Sequence, residues 1–207
     1  HGSNYIGNVK QYDGETDGFV YNMDIAVVNA FYYRDLVLMQ QIALLLGKKE
    51  DAVFYEHQAK EVYQSFQKTF RDPKTGLIKD GDITDHTSLH ANMFALAFGL
   101  VPGSDKEKVV SFIKTRRMAC SVYGAQFLLD ALYDNDQGGY ALTLLDATTQ
   151  RSWYNMIRSG STITMEAWDK VYKPNLDWNH AWGAAPANII VRKLMGIEPL
   201  TPGFETL

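Results

Sequence analysis

The chain has 207 residues, 46% of them hydrophobic and 21% charged, and its formal net charge at pH 7 is −4. This length is enough for one domain with a buried core, and the single cysteine, Cys120, excludes a disulfide within the chain. The weak negative charge does not indicate a nucleic-acid or membrane partner, and no apolar run approaches the roughly 18 residues that span a bilayer.

The two ends of the chain carry little information about compartment. Residues 1–4, HGSN, are typical of an expression-tag remnant, and no signal peptide is visible. Residues 197–207 form a tail containing Pro and Gly. The localisation therefore stays open, and residues 1–207 are expected to form one stretch of a single domain.

Two helices are predicted first along the chain. Apolar residues recur at steps of three and four over 22–46, which places on one helix face Ile25, Val28, Tyr32, Leu36, Met39 and Ala43. Gly47 is the expected C′ residue of this helix. A second helix over 50–70 has in register Phe54, Ala59, Val62, Phe66 and Phe70. Because few residues separate the two helices, we expect an antiparallel αα-hairpin.

The rest of the chain also favours helices and shows no clear strand. Helices are predicted over 87–103, 104–116, 121–135, 139–147 and about 180–195. Ser104 and Glu107 match a capping box, and Pro186 fits the first turn of the last helix. Long loops at 72–86 and 157–179 separate the helix pairs. This pattern indicates helical hairpins around an axis with function on the loops, and it fits a plain bundle almost as well.

The loop before the last helix contains the most suggestive chemistry. Residues 160–190 hold three of the four tryptophans, together with Glu166 and His180. Sugar rings have an apolar face that packs on aromatic side chains, and glycosidases need carboxylates. The alternatives are a surface Glu166 paired with Lys170 on a helix, and a His180 that is buried and hydrogen-bonded to a carbonyl.

Other patterns are weaker. The aromatic pair Trp153 and Tyr154 stands between Arg151 and Arg158, as in a binding wall or in a buried core. A pair of histidines, His86 and His90, has the i,i+4 spacing of metal ligands but no third ligand. The acidic residues Asp13, Glu15 and Asp17 lack the twelfth-position glutamate of a calcium loop and indicate a solvated turn. No Gly-rich phosphate loop is present, and we expect no cofactor.

The segments RSWYNMIRSGSTITMEAWD, DWNHAWGAAPANII and GIEPLTPGF together resemble the bacterial α-L-rhamnosidase family of inverting glycoside hydrolases. DGFVYNMDIAVVNAFYYRDL and HANMFALAFGLVP look like earlier helices of the same family. The resemblance implies an all-α chain that forms part of an (α/α)6 toroid of antiparallel helical hairpins. It also implies hydrolysis of terminal α-L-rhamnosyl residues with inversion, so a rhamnose-containing glycoside is the expected partner.

The resemblance also assigns roles to residues. Glu166 matches the general base, His180 matches a histidine that contacts the sugar, and the aromatics of the −1 pocket match Trp153 and Trp168. We add as substrate-binding residues their aromatic neighbours Tyr154 and Trp178. An inverting enzyme also needs a general acid. In the family this acid lies upstream of the region covered here.

We therefore expect the C-terminal part of a catalytic domain without its general acid. Its hydrolysis should be weak or absent, because the leaving group would have to take its proton from water. Exposed helix faces should promote self-association. Two other readings stay open: another (α/α)-toroid glycosidase or a polysaccharide lyase, and a noncatalytic helical module that binds carbohydrate or protein.

Overall fold

The structure is a computed structural model that describes residues 15–206. It contains two compact units. The N-terminal unit comprises residues 19–115, and the C-terminal unit comprises residues 15–18 and 116–206. Both contain fully buried apolar side chains, such as Phe66 and Leu89 in the first and Leu128 and Trp168 in the second.

Four helices follow one another in the first part of the described chain, and all were predicted. Their bounds are α1 Ala26–Leu45, α2 Lys49–Thr69, α3 Leu89–Ala97 and α4 Lys106–Arg116. Two isolated β-bridges, Ile25–Gly81 and Arg71–Ile78, are the only extended pairings within residues 15–206. The prediction that the chain has no strand is therefore confirmed for residues 15–206.

The turn between α1 and α2 is a Schellman motif, as Gly47 predicted. Gly47 has a φ of 70° and donates its N–H to the carbonyl of Leu44 at 3.0 Å. The N–H of Lys48 donates to the carbonyl of Ala43 at 2.8 Å. These bonds satisfy carbonyls that the end of α1 would otherwise leave unpaired, and glycine accepts the positive φ without strain.

The buried face of α1 differs from the predicted one. It consists mainly of small side chains, namely Ala26, Ala30, Leu36 and Ala43. The predicted face holds Leu36 and Ala43 but also the exposed Val28, Tyr32 and Met39. These three side chains and the exposed Ile42, which was not predicted on this face, form what we call the α1 stripe. Because small side chains allow close helix packing, the buried face of α1 is narrower than the face that its apolar residues predicted. The spacing correctly predicted a helix, but Val28, Tyr32 and Met39, half of the six predicted positions, are exposed and do not belong to the core.

The start of α4 also differs from the prediction. Ser104 lies inside a 3₁₀ turn, Gly103–Asp105, so it is not the N-cap of the helix. The buried side chain here is Asp105, whose Oδ2 accepts from Nε of Arg71 at 2.6 Å and whose Oδ1 accepts from Nζ of Lys108 at 3.0 Å. The carboxylate therefore serves an ion-pair cluster, which the local capping pattern did not reveal.

The C-terminal unit has shorter helices. They are α5 Ala125–Tyr133, α6 Gly138–Leu145, α7 Trp153–Arg158 and α8 Ala185–Ile189. Helix α7 was not predicted. The predicted helix over 180–195 is divided into a 3₁₀ turn, Ala181–Gly183, then α8 with Pro186 in its first turn, and a π turn, Ile190–Leu194. Every helix among residues 15–206 is too short or too polar to cross a membrane.

Candidate active site

Helix α7 positions the loop that follows it. Ser152 caps the helix, because its Oγ accepts from the N–H of Asn155 at 3.1 Å. The buried amide of Asn155 donates to the carbonyl of Trp168 at 3.1 Å and to Oδ2 of Asp169 at 2.9 Å. A six-residue helix thus anchors the middle of the segment that carries Glu166.

Two pairs of reciprocal hydrogen bonds bring the predicted site residues together. The N–H of His180 donates to the carbonyl of Thr164 at 2.8 Å, and the hydroxyl of Thr164 donates back to the carbonyl of His180 at 2.8 Å. The N–H of Glu166 donates to the carbonyl of Asp177 at 3.0 Å, and Oε2 of Glu166 accepts from the N–H of Asp177 at 3.0 Å. Residues 166–177 therefore form a closed loop, which we call the Glu166 loop.

The carboxylate of Glu166 lies at the base of this loop. It forms an ion pair through Oε1 with Nζ of Lys173, and its side chain is 12% exposed. The Lys173 ammonium and the Asp177 N–H hold the pKa of Glu166 below its usual value. Residues 164–172 are not helical, and Lys170 lies over the ring of Trp178 at 4.7 Å. The alternative of a helical Glu166–Lys170 pair is therefore wrong.

A second carboxyl group belongs to the same neighbourhood. Oε1 of Glu15 accepts from the backbone N–H of Trp168 at 3.2 Å. Burial raises the pKa of Glu15, while the Trp168 N–H and the charge of Lys173 act in the opposite direction. The charge of Glu166 also raises the pKa of Glu15, because the two carboxylates carry like charges. The prediction of a solvated acidic turn is therefore wrong for Glu15, and Asp13 lies outside the described residues.

Two of the predicted aromatics pack on each other. The rings of Trp153 and Trp168 meet edge to face with centroids 4.9 Å apart. Nε1 of Trp153 donates to the carbonyl of Gly183 at 2.7 Å, and Nε1 of Trp168 donates to the carbonyl of Cys120 at 2.7 Å. Trp168 is fully buried, so it backs the partly exposed Trp153.

An aromatic surface adjoins His180. The ring of Trp182 stacks on the His180 imidazole with centroids 4.1 Å apart and planes at 19°. Nε1 of Trp182 donates to the backbone carbonyl of Glu166 at 3.0 Å, and the centroid of its ring lies 5.8 Å from that of Tyr123. We did not predict Trp182 as a site residue, although its position two residues after His180 was a usable signal. Tyr154 and Trp178 are also exposed.

A separate open pocket of about 660 Å³ lies on the C-terminal unit. Two cationic side chains, Arg117 and Arg151, line it together with Tyr140 and Tyr172. None of the predicted site residues is among its lining residues. The charge of Arg151 partly opposes the rise that burial causes in the pKa of Glu15.

The described residues contain no group of three or more His, Cys, Asp or Glu side chains that could hold a metal ion. Nδ1 of His86 lies 2.6 Å from Oδ2 of the buried Asp80, and the ring of His90 lies 6.2 Å from that of Phe19. Cys120 is fully buried, and burial raises the pKa of its thiol far above its usual value. A thiol nucleophile at this position is therefore disfavoured.

Known proteins resemble the chain in sequence and in fold. The profile of the bacterial alpha-L-rhamnosidase 6 hairpin glycosidase domain matches residues 6–194. Alpha-L-rhamnosidases from Alteromonas sp. (strain LOR) and Formosa agariphila are 27% and 25% identical to it over 192 residues, which is 86% of this chain and 20% of each relative. The chain thus spans about a fifth of the length of these curated relatives.

A solved structure shows the same fold. The native α-L-rhamnosidase from Aspergillus terreus superposes with a TM-score of 0.76 at 20% identity, over 92% of this chain and 23% of that one. The helical structure and these matches confirm the predicted fold class, an all-α part of a six-hairpin (α/α)6 toroid, and the predicted resemblance. The chain belongs to the family of the bacterial α-L-rhamnosidase six-hairpin glycosidase domain.

Proposed function

We propose that this chain carries the water-activating part of an enzyme that hydrolyses terminal α-L-rhamnosyl residues with inversion, with Glu166 as the general base. The observation that carries the proposal is the placement of Glu166. It is a fixed, ionised carboxylate at the base of an aromatic-lined loop, in a chain of a glycosidase family. The names of the relatives support the choice of rhamnose.

The electrostatics of Glu166 suit a general base. A base must be ionised before it can accept a proton from water, and the lowered pKa of Glu166 keeps it ionised at neutral pH. Each of its oxygens has one hydrogen-bond partner described above, which leaves lone pairs for a water molecule. The attacking water would stand between this carboxylate and the face of the sugar opposite the leaving group.

The surrounding side chains suit a sugar. We propose that His180 hydrogen-bonds a hydroxyl group, while the apolar face of the sugar ring packs on the exposed aromatics that lie outside the Glu166 loop, Tyr154 and Trp178. Five residues are proposed for substrate binding, namely Trp153, Tyr154, Trp168, Trp178 and His180. Because Trp168 is fully buried, we propose that it acts indirectly, by packing against Trp153.

The test uses two rhamnosides that differ in their leaving group. p-Nitrophenolate departs readily as an anion, so p-nitrophenyl α-L-rhamnoside needs little help from a general acid. An alkyl α-L-rhamnoside needs a proton on its leaving oxygen. We expect slow release of p-nitrophenol by this chain and far slower hydrolysis of the alkyl glycoside, since the family's acid motif has no counterpart in the sequence.

The variant Glu166→Gln keeps the shape of the side chain but cannot accept a proton, so it should abolish the release of p-nitrophenol. Glu56→Gln, an exposed change on α2, is the matched control and should have no effect. The first product, observed by proton NMR, should be β-L-rhamnose. Equal rates in the parent chain and Glu166→Gln would refute the role of Glu166, and a product that absorbs in the ultraviolet would indicate a lyase.

A further inference from the structure

Lys173 is held in place by hydrogen bonds within the Glu166 loop. Its backbone N–H donates to the carbonyl of Asp169 at 3.4 Å, and its carbonyl accepts from the N–H of Leu176 at 3.1 Å. Leu176 is buried, which fixes this part of the loop to the unit. The Glu166 loop therefore supplies its own cation to the carboxylate at its base.

We propose that Lys173 is a positioning residue for Glu166: its ammonium holds Oε1 and keeps the carboxylate charged, so that the remaining lone pairs can face the attacking water. This inference rests on the proposed function, because it assumes that Glu166 is the base. It adds a residue whose loss should alter how Glu166 titrates even when the fold is intact.

The neighbouring charges explain why a cation is needed. Glu15, with its raised pKa, interacts with both Glu166 and Lys173, and Arg151 also acts on Glu15. His180 is the other titratable group that acts on Glu166. Two carboxyl groups that interact compete for one proton. By pairing directly with Glu166, Lys173 makes it the partner that loses the proton first.

The closing experiment measures the titration of Glu166 directly. The chain is labelled with carbon-13 at the glutamate carboxyl groups, and the resonance of Glu166 is identified by its loss in Glu166→Gln. Its pKa is then measured in the parent and in three variants, Lys173→Met, Lys173→Arg and Lys170→Met. Lys170 is the matched control because it lies in the same loop but over the Trp178 ring.

We expect the pKa of Glu166 to be higher in Lys173→Met than in the parent, because the variant removes the positive charge. Lys173→Arg should keep it low, and Lys170→Met should leave it unchanged. A Glu166 pKa that is the same in Lys173→Met and in the parent would overturn the proposal. So would a Lys170→Met effect as large as that of Lys173→Met.

A second measurement covers the case in which Lys173→Met does not fold. The ammonium protons of Lys173 should exchange with water more slowly in the parent than in Glu166→Gln, because the ion pair protects them; equal exchange rates would overturn the proposal. Neither measurement requires turnover, so the Lys173 result is distinguishable from the outcome of the rhamnoside assay, where equal rates in the parent and Glu166→Gln would refute the proposed function. Where hydrolysis is observed, Lys173→Met should shift the acidic limb of kcat/KM to higher pH.

Discussion

The indole of Trp168 offers a stability test that separates the contribution of its hydrogen bond from that of its packing. Trp168→Phe keeps most of the buried ring but leaves the Cys120 carbonyl without its 2.7 Å hydrogen bond. An unpaired buried polar group costs about 1–3 kcal/mol. Trp168→Ala also opens a cavity beside Trp153, and such truncations cost about 3–5 kcal/mol. Since domains are stable by about 5–15 kcal/mol, the second change should remove a large part of the total.

The assay is urea denaturation followed by far-ultraviolet circular dichroism. The slope of the free energy of unfolding against urea concentration is compared between variants, to check that unfolding stays two-state. Trp182→Phe is the control, because Trp182 is 42% exposed and should lose less than about 1 kcal/mol when its hydrogen bond is removed. If Trp168→Phe unfolds at the same urea concentration as the parent, the hydrogen bond from the indole to the Cys120 carbonyl does not contribute to stability.

Three further predictions concern packing, charge and surface. Gly183→Ala should lower the free energy of unfolding by about 1–3 kcal/mol, because a Cβ there would lie 2.8 Å from Cβ of a threonine and 3.0 Å from a backbone oxygen. The control Gly139→Ala in α6, which has open space around it, should raise the melting temperature. Asp105→Asn should lower the free energy of unfolding, measured by urea denaturation, by about 3 kcal/mol, because it leaves Arg71 without its carboxylate partner. Lys108 and Arg71 hold the pKa of Asp105 below its unfolded value, so the stability that the ionised carboxylate contributes is present above about pH 4 and is lost as the pH falls through the folded pKa. The variant should therefore lose less stability on acidification than the parent does. The exposed α1 stripe should drive self-association, which sedimentation velocity would detect, and Ile42→Lys should weaken it. A parent chain that stays monomeric as its concentration rises would contradict this prediction.

Helix existence could be predicted from the sequence because it depends on local periodicity. The hairpin of α1 and α2 and its Gly47 turn followed directly from spacing and from one residue's tolerance of positive φ. The buried face did not, because alanines carry little hydrophobic signal although they allow the closest packing. Helix α7 was missed because six residues are too few for a periodic pattern.

The candidate site shows the same division between local and distant information. Glu166 and His180 stood out because aromatic residues surround them in the sequence. The partners that set the charge of Glu166 could not be predicted in this way. Lys173 follows it by seven residues in a loop without regular spacing, and the N–H of Trp168 is bonded by Glu15 across 153 positions of the chain. Such contacts depend on the folded path of the backbone.

The burial of Cys120 has a practical consequence. Since it is the only cysteine in the sequence and its thiol is both buried and hard to ionise, thiol reagents should react with the folded chain very slowly. This chain is then a ready background for site-directed labelling. A cysteine introduced at an exposed position of the Glu166 loop could carry a fluorophore or spin label that reports sugar binding, with no second label to confuse the signal.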